Sequence, residues 1–256
     1  MTDVSLSTDR PLAPALSVIV PVRNESENIA ALVDEIAAVL ADRWSFEVVF
    51  VNDGSTDDTE DLLLRLMAER KWLRQIKHAV SCGQSAAVRS GTVAARAPLV
   101  VTLDGDGQND PSFIPALVRL LEAELPRVGL VAGQRVGRRA SRFKRFQSRL
   151  ANAVRRAILR DGTRDTGCGL KAFSRDAFLA LPYFDGLHRF LPALVRRDGY
   201  DIAYVDVIDR PRRHGRSNYG ALDRLWIGIR DLFGVRWLIA RRKRVPQVSE
   251  VNPNAP

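Results

Sequence analysis

Along the first half of the chain, apolar residues gather into short runs separated by segments of helical periodicity. LSVIVPV (16–22), FEVVFV (46–51) and PLVVTLD (98–104) are near-continuous and rich in β-branched residues, as buried strands are, and LRQIKHAV (73–80) reads as a further strand. Between them lie NESENIAALVDEIAAVLAD (24–42), TEDLLLRLMAE (59–69), the alanine-rich GQSAAVRSGTVAARA (83–97) and PSFIPALVRLLEAEL (111–125), all with helical spacing. Asn24 or Ser26 is suited to cap the first helix, and acids fill its first turn. Alternating strand and helix with continuously apolar strands predicts a mostly parallel central sheet covered by helices on both faces, an α/β Rossmann-like fold.

Beyond residue 126 the pattern changes. GLVAGQRV (129–136) reads as a strand and SRFKRFQSRLANAVRRAIL (141–159) as a basic amphipathic helix. DTGCGLKAFSRDAFLAL (165–181) reads as a loop leading into a helix, and YDIAYVDVIDRPR (200–212) as a late strand. GRSNYG (215–220) is a glycine-rich turn before the last helices. These boundaries divide the chain into a polar leader (1–14) expected to be disordered, a principal domain (15–220), basic amphipathic C-terminal helices (221–245) and a frayed tail (246–256).

In open parallel sheets, ligands bind beyond the carboxyl ends of the strands. Three unusual loops fall there: PVRNES, NDGSTDD and DGDGQND. In the last, Asp104 and Asp106 are separated by one glycine, and Gln108 follows. Two carboxylates so close repel unless a cation lies between them. The loop is either a solvated Asp-Gly turn or a site for a hard divalent cation, Mg²⁺ or Mn²⁺, with substrate phosphates completing its shell. NDGSTDD carries the same ambiguity. Ser55, Thr56 and Asp57 are suited to cap the next helix, whereas Asp53, nearest the strand end, is suited to accept hydrogen bonds from a base or ribose.

The 256 residues carry 39 Lys and Arg against 30 Asp and Glu, a net charge of +9 that favours an anionic partner. Eleven of the basic residues lie between Arg127 and Arg160, a stretch with no acid at all. Solvated helices usually mix signs, so this stretch points to phosphate groups of a nucleotide, a lipid or a nucleic acid. Only Phe143 and Phe146 interleave with it, which argues against a nucleic-acid partner. With two cysteines, Cys82 and Cys168, a disulfide framework is excluded and a reducing compartment expected. His78 and Cys82 are too far in sequence from any other His or Cys to suggest a zinc site and read as structural. The N-terminus has no signal-peptide pattern and no window is long and apolar enough to span a bilayer. In the last helix, Leu222, Leu225, Trp226, Ile229, Phe233 and Trp237 share one face, which either packs on the domain or lies in an anionic membrane interface.

The rim loops, in this order, resemble those of the inverting glycosyltransferases of family two, which have the GT-A fold. The resemblance rests on P-x-x-N-E (Pro21, Asn24, Glu25), on VNDGSTD (51–57) and on D-x-D-x-Q (Asp104, Asp106, Gln108). Further motifs are similar to those of the dolichyl-phosphate mannosyltransferase branch and its bacterial polyprenyl-phosphate relatives. They are Gly133–Gln134–Arg135; Arg145, Ser148 and Asn152; Asp165, Gly169 and Lys171; and Arg212, Gly215 and Ser217, where Asn218 replaces a lysine. Asn52 replaces the first acid of the family's D-D pair. The resemblance spans roughly residues 15 to 220.

The resemblance implies a metal-dependent transferase that moves a hexose, mannose or glucose first, from a GDP- or UDP-sugar to polyprenyl phosphate. Pro21, Arg23, Glu25, Val51 and Asp53 would line the nucleotide pocket, and Asp104, Gly105 and Asp106 would hold ribose and diphosphate. Asp106 and Gln108 would ligate Mg²⁺ or Mn²⁺. Arg135 and Arg212 would contact phosphates, and Arg142, Arg145, Arg149 and Lys171 would hold the acceptor phosphate. Asp165 is the base to name if the acceptor is instead a hydroxyl. The resemblance to the short form of the enzyme implies a peripheral protein at the cytoplasmic face of the inner membrane. A non-catalytic nucleotide- or nucleic-acid-binding protein is the competing class, against which the intact Asp104, Asp106 and Gln108 argue.

Overall fold

In the computed structural model, the structure describes residues 13–136, 155, 157–159, 161–163, 165–211 and 221–241; side chains are described from residue 228 onward in the last segment. Among the described residues, seven strands form one sheet: β1 (Leu16–Val22), β2 (Phe46–Asp53), β3 (Leu73–His78), β4 (Leu99–Thr102), β5 (Val128–Arg135), β6 (Lys171–Ser174) and β7 (Asp201–Val207). Their order is β3-β2-β1-β4-β6-β5-β7. β3, β2, β1 and β4 are mutually parallel, and β7 is parallel to β5. β6 alone runs against both its neighbours, β4 and β5.

The uninterrupted apolar runs follow from burial on both faces. In β1 and β2, Val18, Val20, Val48 and Phe50 pack beneath α1 (Ser26–Leu40), α2 (Thr59–Glu69) and α4 (Ile114–Glu124). The alternate residues Ile19, Val49 and Val51 face α3 (Gln84–Ala94), the helix Leu191–Arg197 and the closing helix Ala221–Ala240. All of these strand residues are fully buried, which is why the strands read as near-continuous apolar runs.

β6 is the element that the sequence pattern reads as loop. At four residues it is too short for a periodicity signal, yet its reversed direction matters. Lys171 pairs with Thr102, so β6 begins at the rim where β1, β2, β4, β5 and β7 end. The segment 165–171 therefore joins the other motif loops by starting a strand instead of ending one.

One local expectation is corrected, and one open alternative is narrowed. The N-cap of α1 is Glu25, with no side-chain cap: Asn24 Oδ1 accepts from the neighbouring loop instead, and Ser26 is already the first residue of the helix. The closing helix packs through Leu232, Val235, Leu238 and Ile239, while Ile229, Phe233 and Trp237 face outward, Phe233 and Trp237 being 64% and 60% exposed. The predicted basic helix 141–159 falls mostly outside the described residues, as does the turn 215–220.

Candidate active site

The first two rim loops are tied together. Asn24 adopts φ 57°, a left-handed conformation that asparagine tolerates better than most residues. Its backbone N–H donates to Ser55 Oγ (3.0 Å), and its Oδ1 accepts from the Thr56 N–H (2.8 Å). Ser26 N–H donates to Asp57 Oδ2 (3.2 Å) and Glu25 N–H to Thr59 Oγ1 (3.2 Å). Asp57 also accepts from the Thr59 N–H at the start of α2 (3.1 Å), so it closes that helix end as well.

Asp53, 5% exposed, receives four donors. Oδ1 pairs with His78 Nδ1 (2.6 Å) and accepts from the Cys82 N–H (2.8 Å); Oδ2 accepts from Ser81 Oγ (2.7 Å) and the Gly83 N–H (2.9 Å). Burial alone would raise this carboxyl, but the four donors outweigh it and hold it below the usual carboxylate range. His78 Nε2 is in turn 2.9 Å from Ser90 Oγ. Sequence spacing set His78 and Cys82 apart from any ligand cluster; the β2–β3 register puts His78 opposite Asp53, and ligand atoms of Asp53, His78 and Cys82 lie within 4.8 Å of one another. Since the polar atoms of Asp53 and His78 already pair with protein groups, the cluster acts as a hydrogen-bonded brace for the 79–83 loop.

Asp104, Gly105 and Asp106 follow β4 in a loop shaped by close approaches. A Cβ on Gly105 would lie 2.4 Å from Val22 Cγ1 and 3.0 Å from the Pro21 carbonyl oxygen, and one on Gly169 would lie 2.4 Å from the Asp104 carboxylate. Asp104 N–H donates to Asn109 Oδ1 (2.9 Å), and Gln84 Nε2 donates to Asp104 Oδ1 (2.8 Å). Burial, then the charge of Asp106, push the Asp104 carboxyl up to about 6 against the pull of Lys171 and Arg135; Asp209 adds to the rise. Three acids from two loops, Asp104, Asp106 and Asp209, crowd one place, which is the electrostatic condition a hard divalent cation relieves. Asp106 Oδ1 accepts from the Gln108 N–H (3.1 Å), so both predicted ligands share that loop.

On the opposite wall, Arg135 holds Asp165 through Nε to Oδ2 (2.5 Å) and Nη2 to Oδ1 (2.8 Å), and Asp209 through Nη1 to Oδ2 (3.2 Å). Burial raises the Asp165 carboxyl, but the Arg135 guanidinium more than offsets this and leaves it below the ordinary range. Lys171 is buried beside Cys168, to whose carbonyl its ammonium donates, and burial lowers its pKa. Gln84, Asp104, Gly169, Lys171, His188 and Arg189 contribute to the lining of a cavity of about 290 Å³ between these walls.

Some of the predicted residues meet around this cavity and others do not. Pro21 lines the same cavity, Glu25 lies at the loop junction with Oε2 accepting from Asn28 Nδ2 (2.6 Å), and Arg23 is exposed. The Val51 side chain packs in the core against α3. Arg142, Arg145, Arg149 and Arg212 lie outside the described residues. Sequence reasoning missed Gln84, Ser85, His188 and Asp209. Of these, Asp209 carried a signal, because it lies two residues beyond β7 on the same rim.

Residues 17–181 match the family model of Glycosyl transferase family 2. A dodecaprenyl-phosphate galacturonate synthase of Rhizobium johnstonii is 33% identical over 242 residues, covering 90% of this chain and 68% of the relative. An undecaprenyl-phosphate 4-deoxy-4-formamido-L-arabinose transferase of Edwardsiella ictaluri is 31% identical over 210 residues, covering 81% of this chain and 63% of the relative. The chain spans about two thirds of the length of these relatives. Glucosyl-3-phosphoglycerate synthase of Mycobacterium tuberculosis, solved with phosphoglyceric acid, superimposes with a TM-score of 0.65 at 23% identity, covering 90% of this chain and 81% of that one. The same enzyme solved with Mn²⁺, UDP and glucosyl-3-phosphoglycerate gives a TM-score of 0.63 at 22% identity, with 90% and 80% coverage.

The fold is that of the GT-A glycosyltransferases. The chain belongs to glycosyl transferase family 2 and is a glycosyltransferase.

Proposed function

We propose that the protein transfers a sugar from a nucleoside-diphosphate sugar to a polyprenyl phosphate, with inversion at the anomeric carbon. The observation that carries the choice of acceptor is the state of Asp165. The bidentate grip of Arg135 occupies both its oxygens and keeps it ionised and weakly basic. A hydroxyl acceptor needs a base to take its proton, whereas a phosphate oxygen is already anionic. The names of the Rhizobium and Edwardsiella relatives, both acting with polyprenyl phosphates, support the same acceptor.

The donor nucleotide lies across the joined loops 21–26 and 51–57, with its diphosphate at Asp104–Gln108. Asp53 fixes the 79–83 loop at the base end, and Asp104 and Gly105 contact the ribose and diphosphate. Asp106 and Gln108 would hold Mg²⁺ or Mn²⁺, which supplies positive charge for the departing diphosphate when bound. Arg135, held between Asp165 and Asp209, orders the opposite wall, with Arg212 as a further phosphate contact. Lys171 supplies positive charge on the acceptor side, joined by Arg142, Arg145 and Arg149 as phosphate contacts. The uridine-containing neighbour favours a UDP-sugar over a GDP-sugar, and the relatives widen the sugar from mannose or glucose to hexuronic acids and modified pentoses.

The outward Ile229, Phe233 and Trp237, flanked by exposed Arg230 and Arg236, support peripheral attachment to an anionic membrane. Among the described residues, no helix is long and apolar enough to cross a membrane. The test is incubation with Mn²⁺, decaprenyl phosphate and a panel of UDP-glucose, UDP-galacturonate and GDP-mannose, with mass spectrometry of the lipid fraction. One glycosyl phosphodecaprenol is expected. Hydrolysed donor or unchanged lipid with every donor overturns the reading.

A further inference from the structure

One wall of the cavity is made by a feature that none of the rim motifs contains. Leu187–Arg189 form a single 3₁₀ turn after Gly186, pinned from two sides. On one side, Ser85 Oγ accepts from the His188 backbone N–H (3.3 Å) and lies 2.7 Å from His188 Nδ1. On the other, Arg155 donates through Nη2 to the Arg189 carbonyl (3.3 Å), pairs through Nη1 with the fully buried Asp161 (2.6 Å), and its guanidinium lies over the Phe190 ring (5.6 Å).

The Ser85 contact fixes the histidine tautomer. Ser85 is 1% exposed and has one hydroxyl hydrogen, and its oxygen already accepts from the His188 N–H. No other acceptor reaches that hydrogen among the described residues, and an unmade buried O–H bond is costly. The hydroxyl therefore donates to Nδ1, which leaves the imidazole hydrogen on Nε2. Burial, then the charges of Lys171 and Arg189, push the imidazole down to about 3, so the ring is neutral at any working pH. Nε2–H has no partner among the described residues, and His188, Lys171 and Arg189 line the same cavity.

We propose that Ser85, His188 and Arg189, together with Lys171, form an oxyanion-binding corner in which His188 Nε2–H is the positioning donor. A fixed neutral donor beside two cations suits a small anionic oxygen group, because it gives direction to an attraction that the cations supply without direction. Two sources offer that chemistry: the phosphate of the acceptor lipid, or a carboxylate on the transferred sugar. The inference rests on the transferase reading for its place in the reaction, but the binding corner itself can be read without turnover.

The kinetic arm compares wild type with His188→Ala and His188→Gln, the second retaining an N–H donor. Donors are UDP-glucose and UDP-galacturonate, and the acceptor is decaprenyl phosphate in detergent. If the oxyanion is the lipid phosphate, His188→Ala raises the acceptor KM about ten- to hundredfold with any donor used, leaves the donor KM unchanged, and His188→Gln recovers part of the loss. If it is the sugar carboxylate, only UDP-galacturonate is affected. Unchanged KM values for both substrates in His188→Ala overturn the corner.

The second arm uses the ¹⁵N spectrum of the imidazoles in the wild-type protein, titrated with methyl phosphate and with glucuronate. An Nε2–H tautomer whose signal moves with either anion supports the corner even if no donor turns over. A signal that moves with neither overturns the corner even if the transferase activity is confirmed.

Discussion

Arg135 and Asp165 meet in a two-point ion pair, Nε to Oδ2 at 2.5 Å and Nη2 to Oδ1 at 2.8 Å, and the same guanidinium reaches Asp209 at 3.2 Å. Removing the cation leaves two partly buried carboxylates facing each other. Arg135→Ala is expected to destabilise the fold by about 3 kcal/mol, the scale of breaking a buried pair from one side. For a domain of this size that is a fall in Tm of about 6–12 °C by calorimetry. A Tm within 2 °C of wild type would show that solvent already screens the pair.

The same pair predicts the behaviour of Asp165→Asn. If Asp165 were the base, its loss would abolish transfer and remove a limb from the pH profile of kcat. With Asp165 held as a counter-ion, the variant keeps the shape of the pH profile and shows a lowered rate through disorder of the 165–169 loop. Disappearance of an acidic limb, with Tm unchanged, would reinstate Asp165 as the base.

Asp104 gives a pH prediction of unusual sign. Its folded-state pKa, about 6, lies above the ordinary value of 3.8. The native state therefore binds the proton more tightly than the unfolded state, and this contribution to stability is complete below about pH 4 and lost as pH rises through 6. Asp104→Asn removes a charge that the unliganded fold tolerates poorly. The variant should melt several degrees higher than wild type at pH 7.5, lose that advantage near pH 4, and fail to turn over. A variant less stable at pH 7.5 would show that ionised Asp104 is already compensated.

Much of this architecture was legible in the sequence, and the reasons differ by element. β1, β2 and β4 were readable because burial on both faces forces unbroken apolar runs, and the strand-end rule then located the PVRNES, NDGSTDD and DGDGQND loops. β6 was not, because four residues carry no period, and its importance comes from direction, which only pairing with β4 and β5 defines. His78 was read as structural, yet its partner Asp53 lies 25 residues away and is set by register. Ser85 and His188 are 103 residues apart, and nothing local marks either one. The sequence marked an apolar stripe on the closing helix and left its fate open; of that stripe the outward Ile229, Phe233 and Trp237 are described, and which side meets the core depends on Val235 and Leu238 packing more closely than Phe233 and Trp237.

That stripe carries its own prediction. Because Phe233 and Trp237 are well exposed, Phe233→Ala with Trp237→Ala should leave the Tm within about 2 °C of wild type while weakening sedimentation with phosphatidylglycerol vesicles by about tenfold or more. Equal binding by the double variant would remove the helix from the membrane account.

Asp106 tests the cation. Asp106→Ala should abolish the Mn²⁺-dependent rise in Tm produced by nucleoside diphosphates, since ligand that binds only the native state raises the midpoint. Retention of that metal-dependent rise would move the ion elsewhere on the rim.

The most direct measurement compares decaprenyl phosphate with decaprenol, the same lipid ending in a hydroxyl, as acceptors for one donor in the presence of Mn²⁺. With Asp165 committed to Arg135, transfer to the phosphate should proceed and transfer to the alcohol should be at least a hundredfold slower, the scale of an absent general base. Comparable transfer to both, or preference for the alcohol, would contradict the account at its centre.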